Sequence, residues 1–182
     1  SYDNIKLAVA SEVVKNGIMT NINFDISDQK IVILPVGIEI NDIKRSKFED
    51  KTCLIYFKKR SSEELKSITS LLKTKKISYK VFKYGNYKNK DLINFAKKSH
   101  FGIILNKAES QGIATLEIMS TNLPLLIFDY EKMFLENEEL EGTSVPYWSK
   151  ECGLKLKEVS DFETALNNFL KNLNRYSPGE YI

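Results

Sequence analysis

Two glutamates, Glu109 and Glu117, stand eight positions apart around the stretch Ser110-Gln111-Gly112-Ile113-Ala114-Thr115-Leu116. The run before them, Phe101-Gly102-Ile103-Ile104-Leu105, has the length and β-branched content of a buried strand, and the segment from Ser110 onward reads as a helix. With Ser110 as the N-cap, the amides of Gln111, Gly112 and Ile113 have no intrahelical acceptor, and their partial positive charge suits an anion. Glu109 then lies at the carboxyl end of a strand, where open α/β sheets bind ligands. Glu117 lies roughly 10 Å further along, at about 1.5 Å per residue. A carboxylate accepts two charge-assisted hydrogen bonds from a vicinal diol. Amides for phosphate, flanked by carboxylates for hydroxyls, describe a site for a nucleotide sugar. The same residues also allow a plainer reading, in which the loop Glu complements the helix dipole and the mid-helix Glu sits on a solvated face. Against the plainer reading stands the company of Glu117: Ile113, Ala114, Leu116, Ile118 and Met119 make a helix covered on several sides, where an unpartnered carboxylate is costly.

These residues also carry a family resemblance. Glu109 and Glu117 with seven residues between them, Gly112 inside, Met119 shortly after, and the apolar strand Pro124-Leu125-Leu126-Ile127-Phe128 resemble the E-x7-E signature of retaining GT-B glycosyltransferases of the glycosyl transferase group 1 type. Here the signature stands as E-S-Q-G-I-A-T-L-E, and the resemblance extends from Ile31 to Lys171. It implies the C-terminal, donor-binding domain of a GT-B fold, a Rossmann-like parallel sheet flanked by helices. By the same resemblance Glu109 is the catalytic-site residue that binds donor-sugar hydroxyls, and Glu117 binds the ribose diol. Ser110, Gln111, Gly112 and Ile113 hold the diphosphate, and neither a divalent metal nor another cofactor is needed. The family places an Arg at the end of the strand Cys53-Leu54-Ile55-Tyr56-Phe57 and a Lys a turn later, both on the diphosphate. Lys58 falls at the Arg position, but Glu63 and Glu64 occupy the later one, so either Lys59 or Arg60 substitutes or diphosphate binding is weakened. A glycine that opens the loop against the nucleobase corresponds to Gly85, with Tyr84 and Tyr87 beside it.

In that family the acceptor site comes from an N-terminal domain. The resemblance therefore implies a glycan or other acceptor reached through a missing domain, and a chain that alone binds donor weakly and transfers little. Ala10-Ser11-Glu12-Val13-Val14-Lys15 resembles the segment that closes that domain. Residues 1–30 are accordingly expected to be an inter-domain connector or remnant, and residues 31–182 the nucleotide-sugar-binding domain.

Composition narrows the classes. The chain has 182 residues, 42% of them hydrophobic and 28% charged, which suits one globular domain with a sizeable core. Its 27 Lys and Arg are interspersed with 24 Asp and Glu, so no basic run announces nucleic acid. The interleaved Tyr79-Lys80-Val81-Phe82-Lys83-Tyr84 has the composition of an RNA-stacking surface, yet stands isolated without a ribonucleoprotein-type motif. Cys53 and Cys152 are far apart and the only His is His100, which suggests neither a zinc site nor a disulfide framework. A reducing cytoplasm fits, and no run has the length of a membrane span.

The elements that must position these residues alternate. Strands are expected at Ile31–Ile38, Cys53–Phe57, Ser78–Tyr84, Phe101–Leu105, Pro124–Phe128 and Gly153–Lys157, which argues a parallel sheet covered on both faces. Ser61 with Glu64 forms a capping box before a helix whose Leu65, Ile68, Leu71 and Leu72 face the core. Further helices are expected near Ser11–Asn16, over Asp91–Lys98 and the acidic Glu131–Glu141, and after Ser160 or Asp161, with Pro178 and Gly179 ending regular structure. Asn122 suits a left-handed C-cap, Asp129 and Tyr130 end a strand at the crevice edge, and Trp148 sits in a Pro-rigid loop. The competing function class is a non-catalytic Rossmann-type interaction module, with the glutamates on the surface and the basic turn meeting another protein.

Overall fold

A computed structural model describes residues 5–20, 26–40, 51–130, 132–135 and 138–182. Residues 1–4 and 21–25 of the expected connector, and Glu131, Glu136 and Asn137 of the expected acidic helix, lie outside the described residues.

The chain opens with β1 (Leu7–Val9), α1 (Glu12–Thr20) and β2 (Ile31–Ile33). It continues through β3 (Thr52–Lys58), α2 (Ser62–Thr74), β4 (Ser78–Lys83), α3 (Asn89–Ala96) and β5 (Phe101–Asn106). Then come α4 (Ile113–Met119), β6 (Leu125–Phe128), β7 (Lys132–Leu135), β8 (Glu138–Glu141), β9 (Gly153–Leu156), α5 (Phe162–Lys171) and the short α6 (Pro178–Tyr181). Five strands form one all-parallel sheet in the order β4-β3-β5-β6-β9. The uninterrupted apolar runs of β3, β5 and β6 occupy its centre, where both faces are covered.

Alternation along each strand divides the core. Ile55, Ile103, Leu105 and Phe128 face Ile68 and Leu72 of α2 and Phe162, Leu166 and Phe169 of α5. Leu54, Tyr56, Ile104 and Ile127 face Leu92 and Ala96 of α3 and Ile118 and Met119 of α4. The chain steps outward from β3 to β4, then returns to lay β5 on the other side of β3. That reversal opens a crevice beyond the carboxyl ends of β3 and β5, the place where parallel sheets take ligands.

Several expectations need correction. Ile31–Ile33 is not a member of the large sheet; it pairs in parallel with Leu7–Val9, with α1 as the crossover. The acidic segment after Tyr130 is an antiparallel hairpin, Lys132 opposite Glu141 and Leu135 opposite Glu138, instead of a helix. Pro178 starts α6, where its missing N–H costs nothing, instead of stopping the chain. The capping box of Ser61 and Glu64 is present in full, and Asn122 takes the left-handed conformation with φ of 57°. Asp161 occupies the N-cap position of α5, without a side-chain bond.

β9 begins at a glycine for a steric reason. Gly153 has φ of 144°, and a Cβ there would lie 1.8 Å from the carbonyl oxygen of Leu125. Gly153→Ala should therefore push β9 off β6 and destabilise the fold by about 3 kcal/mol or more, the range of backbone strain combined with overpacking. A fall of many degrees in the thermal unfolding midpoint is the expected readout.

Candidate functional site

At the last register position of the β3–β5 pair, Lys58 stands opposite Asn106. The polar ends of two buried strands thus lie side by side beneath the crevice, Lys58 lining it and Asn106 buried behind. Lys58 Nζ lies 2.6 Å from Glu109 Oε1, and both side chains are 13% exposed. The Asn106 amide donates to the same oxygen at 2.6 Å. Glu109 follows β5 by three residues, and its own N–H donates to Thr143 O at 2.9 Å. The Thr143 loop is in turn held by Asp129, which accepts from the Thr143 hydroxyl, from the Ser144 amide at 2.7 Å and from Lys155 Nζ at 2.6 Å. Asp129, expected at the crevice edge, is a buried anchor for the loop that seats Glu109.

The helix that carries Glu117 begins differently from the expectation. Its N-cap is Gly112, in the left-handed conformation with φ of 70°, and no side chain caps it; Ser110 is not the cap. Instead the Ser110 carbonyl accepts from the buried Ser11 hydroxyl at 2.5 Å. A Cβ on Gly112 would lie 3.3 Å from Pro146 Cδ, so the Asp129-anchored loop also fits closely against this turn. The first intrahelical bond runs from Leu116 N–H to Gly112 O, which leaves the amides of Ile113, Ala114 and Thr115 without helical acceptors. With seven residues the helix is short, so local N–H groups outweigh any macrodipole there.

These pieces enclose a cleft of about 630 Å³. Lys58, Glu109, Ser110, Gln111, Gly112, Ile113 and Glu117 line it, and so do Tyr84 and Gly85 from the turn after β4. Tyr84 is 60% exposed, and Lys58 Nζ lies 4.3 Å from its ring centroid, over the aromatic face. Gly85 takes φ of 80°, as a tight turn there requires. Glu117 accepts from the Asn89 side-chain amide at 2.8 Å. Tyr56 forms part of the wall beside Tyr87, the two rings edge to face at 6.1 Å. Burial pushes the Tyr56 phenol far above its ordinary range, with Tyr87 and the negative charge of Glu109 adding to the effect, so it remains protonated and neutral.

The basic turn divides. Lys59 takes φ of 54° and is exposed, and neither Lys59 nor Arg60 lines the cleft. Arg60 folds back, its side chain 2% exposed, to hold Glu64 through Nε at 2.9 Å and Nη2 at 2.6 Å. Its guanidinium also lies 4.0 Å from the Tyr130 ring centroid. The substitution of Lys59 or Arg60 for the family's second cation is therefore not what this arrangement provides. Residues that sequence reasoning missed are Tyr56, Asn89 and Asn106. The place of Asn106, one residue past an apolar run, was the available signal; Asn89 and the side on which Tyr56 projects had none. His100 lies at the opposite end of the sheet, where its Nδ1 accepts from the Thr52 amide at 3.2 Å. Among the described residues no three His, Cys, Asp or Glu side chains converge as a metal site would need. None of the described helices is long and apolar enough to cross a membrane.

Comparison with known proteins defines the class by fold. The α/β architecture, with its five-stranded all-parallel sheet flanked by helices, matches part of a GT-B glycosyltransferase. That protein is S. aureus TarM, solved as a mutant in complex with fondaparinux, alpha-GlcNAc-glycerol and UDP. The TM-score is 0.65 at 12% sequence identity, over 96% of this chain. The chain spans 39% of the TarM chain. No protein-family model matches the sequence, and no curated protein does.

The Arg60–Glu64 pair sets a pH dependence. Burial works to raise the Glu64 carboxyl, but the Arg60 bonds, the Ser61 amide and the Tyr130 hydroxyl outweigh it and hold the group below its ordinary value of 4.5. A depressed folded value means stabilisation that is present above the ordinary value and lost as the pH falls through the folded one. Glu64→Gln should therefore lower the unfolding midpoint at pH 7, and the gap from wild type should close as the pH falls below the ordinary carboxyl value.

Proposed function

We propose that this chain is the donor-binding half of a retaining glycosyltransferase, which grips a nucleoside diphosphate sugar in the cleft beyond β3 and β5. The observation that carries the reading is that Lys58, Glu109, Tyr84 and Glu117, drawn from three separate segments, open into one cavity at the switch point of a parallel sheet. Its volume suits a ligand of nucleotide-sugar size. The presence of UDP in the TarM complex supports the same reading.

In this arrangement Lys58 and the amides of Ile113 and Ala114, which have no helical acceptor, meet the diphosphate. Glu109 accepts from hydroxyls of the transferred sugar, and Glu117 accepts from the ribose diol. Tyr84 and Gly85 lie against the base. Positive charge placed where negative charge builds on the departing diphosphate lowers the barrier to transfer, and it needs no reorganisation at that moment. Lys58 and the amides supply that charge without a divalent metal. The cleft holds two carboxylates and one ammonium, so affinity for an anion rests heavily on Lys58. Residues 1–30 would then serve as the connector toward an acceptor-binding domain, and the chain alone should transfer little sugar. Its two buried thiols, Cys53 and Cys152, suit a reducing cytoplasm.

Isothermal titration with UDP, UDP-glucose, UDP-N-acetylglucosamine and GDP-mannose tests the reading. Lys58→Ala and Glu117→Ala should each weaken the best-bound nucleotide about tenfold or more, the value of one charge-assisted contact. Lys59→Ala should change it less than about twofold, as expected for a solvated cation outside the cleft. Equal titrations for wild type, Lys58→Ala and Glu117→Ala would instead favour a non-catalytic interaction module.

A further inference from the structure

Glu109 is held by two donors of different kinds, and both meet one oxygen. Lys58 Nζ and Asn106 Nδ2 each lie 2.6 Å from Oε1. Asn106 is fully buried at the last position of β5. Its amide can be oriented in only one sense: the Lys107 N–H donates to Oδ1 at 2.8 Å, so the NH2 end faces Glu109. The remaining carboxylate oxygen, Oε2, is not used by either donor.

A phosphate entering the cleft competes with Glu109 for Lys58, because an ammonium prefers the more highly charged anion nearby. Once Lys58 turns toward phosphate, Glu109 loses its charged partner and is itself repelled by the newcomer. A second lysine in place of Asn106 would be drawn away in the same manner. A neutral amide is not, and its bond to a carboxylate is still stronger than one between neutral groups. Building on the nucleotide-sugar reading above, we propose that Asn106 is a positioning residue: it keeps Glu109 oriented for the donor sugar after Lys58 has left it for the diphosphate.

The distinguishing quantity is the ratio of the Kd for UDP to that for a UDP-sugar, with UDP-glucose and UDP-N-acetylglucosamine as probes. Asn106→Ala should leave UDP binding within about twofold and weaken the better-bound UDP-sugar about tenfold, the loss of one hydrogen bond to a charged group. In a Glu109→Ala background the same Asn106→Ala change should have no further effect on the ratio, because nothing remains to be oriented. Asn106→Asp keeps an acceptor for the Lys107 amide while turning an anion toward Glu109, so it should shift the ratio at least as far. It carries the test if thermal unfolding shows that the alanine variant does not fold. An unchanged ratio in the folded variants, or an equal loss with and without Glu109, overturns the role of Asn106 and leaves the nucleotide-sugar reading standing. A wild-type protein that binds none of UDP, the UDP-sugars and GDP-mannose overturns that reading, and the role of Asn106 with it.

Discussion

The parallel pairing of β3 with β5 is the constraint on which the rest of the molecule depends. Six residues on each strand are matched, and the match runs out at Lys58 opposite Asn106. Until that point β5 is buried at every position, and β3 carries mainly apolar side chains into two cores. A one-residue slip would exchange the two faces and bring Tyr56 out of the wall of the cleft. The register that satisfies the hydrophobic cores is therefore the same register that sets an ammonium, an amide and a carboxylate side by side at the carboxyl ends of the central strands. Chemistry and packing are not separately adjustable here.

Charge is distributed sparingly around those strand ends. Lys58 is committed to Glu109 and to the face of Tyr84, while Arg60, two positions later, turns to the opposite side of the sheet and braces α2 against Tyr130. The left-handed turn at Lys59 separates the two. A guanidinium suits the second place because it can pair bidentately with Glu64 and stack on a ring at once, which an ammonium cannot. One basic turn thus serves two neighbourhoods, and the cleft keeps a single cation among its lining side chains.

Much of the fold and of the cleft was legible in the sequence. Apolar runs marked the central strands because a buried parallel strand has no solvent face to interrupt them. The Ser61 capping box and the left-handed Asn122 were readable because each depends on neighbours within a few residues. Glu109 and Glu117 were readable as a strand-end residue and a residue of the helix that follows, and both line one cleft. What escaped was decided at long range. Ser110 has the side chain of an N-cap, but the helix starts later because Gly112 can adopt a positive φ beneath Pro146, which is distant in sequence. Ile31–Ile33 looked like the first strand of the sheet, and only its pairing with Leu7–Val9 removes it. The run after Tyr130 has a composition that fits helix and strand alike, and hairpin pairing decided between them. The direction of Arg60 depended on an aromatic ring at position 130.

The amino-terminal unit reaches the acidic loop through two hydroxyls. Ser11 binds the carbonyl of Ser110, and Tyr147, next to the proline that covers Gly112, binds the carbonyl of Ala10. A segment roughly one hundred residues upstream is thus fastened to both flanks of the turn between the two glutamates. Any rotation of that segment strains both bonds, so the β1–α1–β2 unit and the turn between the glutamates hold each other in place.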